Sequence, residues 1–137
     1  MGAWDTGPFD NDGAADWCGE LQDADPADRA RLIRAALASA VDEGDYLDVD
    51  VAQEAVAAAA VVASQRVGGR PLDSAYAPDF LRAGASIDLS DDVIPLAVRA
   101  LDRIVGENSE WRDLWQEGIH GSAAFSVVAT LRTALAD

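Results

Sequence analysis

The chain contains no lysine, and its ten basic residues, all arginine, face 25 aspartates and glutamates, for a formal net charge of −15 over 137 residues. No nucleic-acid binding is expected, because such binders release counterions with clustered Lys and Arg, whereas these arginines are scattered among carboxylates. Cys18 is the only cysteine, so no intrachain disulfide forms. With no signal peptide at the start, a reducing cytoplasm is the expected compartment. His120 is the sole histidine, which excludes a histidine-rich zinc centre; between Gly118 and Gly121 it reads as a helix-capping or solvent-exposed turn residue, with proton transfer beside a carboxylate as the alternative. The longest apolar run, Ala55 to Ala63, falls far short of the ~20 residues that span a bilayer, so no membrane partner is expected. Met1, Gly2 and Thr6 fit the loose myristoylation rule, but no basic cluster follows to supply a second membrane signal. Ser109, Ser122 and Ser126 lack a nucleophile elbow, and neither "GENSE" nor "VGGRP" is a phosphate loop. An ordinary hydrolase or NTPase is therefore not expected.

What is present is a globular composition, 50% hydrophobic and 26% charged, in a chain long enough for one core. We read residues 1–137 as a single helical domain, with an N-terminal loop over 1–11 and an irregular connection over 70–89. Asp12 is expected to cap a first helix whose positions Ala14, Trp17, Cys18 and Leu21 fall on one face. Asp25, Pro26 and Asp28 open a second helix, with Leu32, Ile33, Ala36, Leu37, Ala40 and Val41 as its buried stripe. Gly44 is expected to provide a left-handed stop; Arg29, Arg31 and Arg34 lie off the stripe as solvated charge. Asp48 or Asp50 caps a long alanine-rich helix through Val67, ended by Gly68 and Gly69. Pro71, Pro78 and Gly84 interrupt the next stretch, with one helical turn at Asp79 to Ala83. Ser90, Asp91 or Asp92 opens a helix in which Pro95 is tolerable only in the first turn and which Gly106 stops. Asn108 or Ser109 caps "EWRDLWQE", and Ser122 caps the last helix, with Phe125, Val128, Leu131 and Leu135 on its apolar edge and Arg132 toward solvent. The expected fold is an all-α, compact single-domain bundle of five or six helices, with the N-terminal loop clamped on the body.

The opening stretch "WDTGPFDNDGAADW" holds Asp5, Asp10, Asn11, Asp12 and Asp16 between Trp4 and Trp17. An EF-hand reading fails: with Gly13 at the invariant glycine, Pro8 stands at the first ligand position and Gly19 at the bidentate glutamate. An irregular oxygen cage of Asp5, Asp10 and Asp12 remains an alternative. The structural reading uses more residues. Gly7 and Pro8 form a turn, Asp10 and Asn11 make side-chain-to-backbone bonds, and Asp12 caps the helix. Trp4 and Phe9 then fold back on Trp17 as a lock, much as a hydrophobic staple does. Trp111 and Trp115 are one turn apart; they either pack in the core or, with Arg112, form a partner-binding patch, since Trp and Arg dominate binding hot spots. Cys18 reads as a small buried hydrophobe.

The stretches "WDTGPFDNDGAADW" and "NSEWRDLW" resemble a bacterial family catalogued as domain of unknown function 4259, over most of the chain. The chain departs from that pattern at Asp5, where members usually carry glycine. The resemblance implies no activity, and only a fold expectation that agrees with the helical reading. The expected function is a small, acidic, cytoplasmic, non-enzymatic interaction or regulatory module of the inhibitor or immunity type, without cofactor, that meets a basic protein partner. The alternative is a metal- or ligand-binding accessory protein or enzyme built on Asp10, Asp12 and His120. The same acidic, arginine-only usage also suits a high-GC genome or a salt-adapted cytosol, and on that reading it says nothing about a site.

Overall fold

The computed structural model describes residues 7–66, 77–83, 86–118 and 120–136. Seven helices follow in order: α1 (Asp12–Asp23), α2 (Pro26–Asp42), α3 (Val49–Gln65), α4 (Asp79–Arg82), α5 (Val93–Val105), α6 (Glu110–Glu117) and α7 (Gly121–Ala136). The count exceeds five or six because the single turn α4 is a helix in its own right. No strand occurs among the described residues, and the fold is all-α. Val67, Gly68, Gly69, Pro71 and Gly84 lie outside the described residues.

α3 organises the rest. Ala52, Gln53, Ala55 and every residue from Val56 to Val62 are buried, so from Ala55 to Val62 this helix is covered all round, the mark of a core element. Its alanines let neighbouring helices come close. α1, α2, α5, α6 and α7 all pack against it, while α2 also packs on α5, and α7 on α5 and α6. The expected stripes face inward: Ile33, Ala36, Leu37 and Ala40 of α2 are buried, with Leu32 and Val41 beside them.

Local chemistry sets the helix ends. The Asp48 carboxylate accepts from the Asp50 N–H at 2.7 Å, and Pro26 occupies the start of α2, where its missing N–H costs nothing. Pro95 is the third residue of α5, within the first turn as required. Ser109 caps α6 by accepting from the Arg112 N–H at 3.3 Å.

Two expected ends are corrected. α2 leaves through Glu43 in an extended conformation (φ −71°, ψ 109°), and Gly44 has no left-handed backbone. Asn108 is the described non-glycine residue with positive φ, at 57°. Ser122 lies inside α7, which begins one residue earlier at Gly121; a Cβ there would stand 2.0 Å from the Trp115 carbonyl oxygen, so glycine permits α7 to start against α6.

Arg29 is not merely solvated. Its guanidinium donates to the Leu21 and Gln22 carbonyls at 3.1 and 3.0 Å, satisfying the C-terminal end of α1, and sits 3.6 Å over the Phe80 ring. Arg103 ties two loops together, donating to the carbonyls of Glu43 at 3.2 Å, Asp45 at 2.8 Å, Glu107 at 3.0 Å and Asn108 at 3.2 Å. Beside it, Leu47 donates to Asn108 at 2.8 Å and accepts from Glu110 at 2.9 Å, an isolated parallel bridge between Leu47 and Ser109. By contrast, Arg132 reaches Asp102 at 2.7 Å in a pair about half exposed on both sides.

Arg103→Met, which keeps the stem and removes the donors, is expected to cost about 2 kcal/mol. Arg132→Met should cost under about 1 kcal/mol, as exposed ion pairs do. Urea unfolding of the two variants checks the order; equal losses would refute the clasp.

Candidate functional site

The N-terminal turn is built by its own side chains. The Gly7 N–H donates to Asp10 Oδ2 at 3.1 Å and its carbonyl accepts from the Asp10 N–H at 3.2 Å. Asn11, in extended conformation (φ −155°, ψ 164°), accepts from the Ala14 N–H through Oδ1 at 2.7 Å. The cap of α1 is therefore Asn11, not Asp12. Asp12 is the first helical residue and is exposed, where its charge faces the positive helix end but accepts no capping bond. Phe9 and Trp17 are both in the core, at 2% and 4% exposure. Trp4 lies outside the described residues, as does Asp5.

The proposed cation cage thus reduces, among the described residues, to Asp10 and Asp12. Asp10 already accepts the Gly7 N–H, and Asp12 faces solvent. No group of three or more His, Cys, Asp and Glu side chains among the described residues is arranged to hold a metal ion. His120 is exposed between α6 and α7, and its carbonyl accepts from the Ala124 N–H at 3.2 Å. Burial pushes the Cys18 thiol up to about 12, so at neutral pH it is not a nucleophile.

Of the two readings of the tryptophan pair, the core one describes where the indoles stand. Trp111 and Trp115 are 5% and 9% exposed, with ring centres 6.2 Å apart, and Trp111 meets Phe125 of α7 edge-on at 5.2 Å. The reason is that α6 is covered by α3, α5 and α7, so the face shared by the two indoles has nowhere to go but inward. Arg112 is half-buried beside them. The "NSE" preceding Trp111 is structural as well: Ser109 is fully buried, and Glu110 Oε1 accepts from the Val49 N–H at the start of α3 at 2.9 Å.

One face of the molecule, formed by α1 and the start of α3, concentrates charge of one sign. Asp12, Asp16 and Glu20 follow every fourth residue of α1 and are exposed, so they share a face. Across from them, half-buried Glu54 of α3 is pushed up, first by burial and then by Glu20, Asp50, Asp16 and Asp48. Neither α1 nor α3 contains a basic residue. The spacing on α1 was readable in the sequence; that Glu54 meets it from another helix was not. Tyr46 is the exposed large hydrophobic residue among those described, and its hydroxyl donates to Asp113 Oδ2 at 2.7 Å. That bond, with some burial and the nearby carboxylates, pushes the phenol up to about 12.

Gln53 was also missed. It stands among alanines and valines in the buried part of α3, and a Cβ on Gly13 would come within 2.6 Å of its Oε1, so α1 crosses α3 at a glycine. A polar residue inside an otherwise apolar helix face was the available signal.

A family model described as Domain of unknown function (DUF4259) matches residues 2–125. Neither the curated proteins nor the solved structures give a match.

Asn11→Ala is expected to cost about 0.5–2 kcal/mol and Asp12→Ala less than about 1 kcal/mol, with or without calcium. Denaturant unfolding that ranks Asp12 above Asn11 would overturn the cap assignment. A second expectation concerns Glu54. Because its carboxyl is raised in the folded state, the stability linked to its proton is complete below the ordinary value of 4.5 and is lost as pH rises through the raised value. Glu54→Gln should therefore raise the melting temperature at pH 7 and give no gain at about pH 4 and below. A gain of equal size at both pH values would contradict the repulsion.

Proposed function

The chain belongs to the family of domain of unknown function 4259, and from that premise we propose that it is a non-enzymatic acidic interaction module. It neutralises or steers a basic protein partner, in the manner of inhibitor and immunity proteins. The observation that carries this reading is the carboxylate face of α1 and α3: Asp12, Asp16 and Glu20 are exposed at four-residue spacing on α1, Asp48 and Asp50 are at the start of α3, and neither helix contains an arginine, while the Glu54 carboxyl is raised by burial and then by its acidic neighbours. Like charges held together are a standing cost in the free protein, and a cationic surface relieves it. The field of such a face also speeds encounter with a basic partner and is weakened by salt.

The reading rests on this face and not on Trp111, Trp115 and Arg112, since the two indoles are committed to the core. The contacts at Asp10 and the raised Cys18 thiol give the enzymatic alternative no support. A reducing cytoplasm suits the lone buried cysteine; no helix among the described residues is long and apolar enough to cross a membrane.

Capture from native lysate on immobilised protein, at low and at high salt, tests the proposal. A stoichiometric basic partner released by salt is expected, and Asp16→Lys with Glu20→Lys should weaken its binding at least about tenfold, roughly 1.4 kcal/mol, while His120→Ala leaves it unchanged. Nothing retained at low salt, or a partner indifferent to the charge reversal, sinks it.

A further inference from the structure

One buried side-chain polar atom among the described residues has no protein partner: Oε1 of Gln53, in a residue only 2% exposed. It borders a cavity of about 10 Å³ where the turn before α1 meets α3, α6 and α7, lined by Gly7, Asn11, Gln53, Val56, Trp111 and Trp115 together with small and branched residues of α7. A buried carbonyl oxygen without a donor is unfavourable, and native structures answer such groups with protein or with ordered water. The volume is at the lower bound of what a single water molecule needs.

We propose that this cavity is a binding site for one buried water molecule, which donates to Gln53 Oε1 and joins the N-terminal turn to the central helix. The chemistry of the walls selects that occupant. None of the lining residues is charged, so a metal ion or an ammonium ion finds no compensating charge, and an organic ligand finds no room. Asn11 supplies the second polar partner: its side-chain oxygen is committed to the Ala14 N–H, and its amide nitrogen remains to donate to the water. The indoles of Trp111 and Trp115 close the site from the α6 side. The water thus sits where the two stretches "WDTGPFDNDGAADW" and "NSEWRDLW" come together, and Gln53 is the residue of α3 that receives it.

The test is Gln53→Met, which keeps the length of the side chain and removes the acceptor. Magnetic relaxation dispersion of water nuclei counts long-lived internal waters in wild type and variant, and thermal melting is followed in parallel. The expected result is one fewer long-lived water in the variant, with a melting temperature lower by about 3 °C or more. An unchanged count overturns the proposal. So does a rise in melting temperature, since removing a dry, unpaired oxygen would stabilise the fold. Gln53→Glu serves as a second variant: it keeps an acceptor oxygen, and at a pH low enough to protonate it the internal water is expected to return. Its absence there in a folded protein also counts against the site.

Discussion

The burial of α3 on every side between Ala55 and Val62 is the constraint from which the remaining architecture follows. A helix covered all round needs neighbours on all its faces, and five helices supply them. Alanine makes this possible in a chain of 137 residues, because small side chains bring helix axes together and leave large residues for the outer ring, where Leu21, Ile33, Leu37, Leu101, Ile104 and Leu135 fill the space between helices. Close approach has local consequences. Gly13 lies where α1 crosses Gln53, and Gly121 lies where α7 starts beside the Trp115 carbonyl; at both places a methyl group would collide. These glycines serve contact distance, not backbone freedom.

The sequence was most legible where one residue acts on its own backbone. Pro26 and Pro95 can occupy only the first turn of a helix, and the capping of α3 by Asp48 and of α6 by Ser109 follows from side chains that reach N–H groups two or three residues on. It was less legible where neighbouring residues compete for one role. Asn11 and Asp12 both suit a cap, and the choice falls to Asn11, the residue whose backbone is extended. Gly44 suits a left-handed stop, yet carbonyls beyond the end of α2 are held by Arg103 from α5, and the glycine conformation is not needed.

The candidate site divides in the same way. Four-residue spacing shows that Asp12, Asp16 and Glu20 share a face, and that Trp111 and Trp115 share another. It does not show which face is inside, because that depends on α3, α5 and α7 arriving at α6. Arg29 illustrates the limit: off the apolar stripe of its own helix, it is engaged by the end of α1 and by Phe80. Helical periodicity describes one helix at a time, and these roles belong to pairs.

The Arg103 clasp also bears on the order of folding events. Arg103 and Asp45 are 58 residues apart in the chain, so joining them closes a long loop, and the entropy of that closure is met only after α2, α3 and α5 have come together. The long-range part of the clasp is therefore expected to form after the folding transition state. Contacts of this kind leave the rate of folding nearly unchanged and slow the rate of unfolding, so a single guanidinium on the surface acts as a brake on the opening of a bundle whose collapse is driven from the inside.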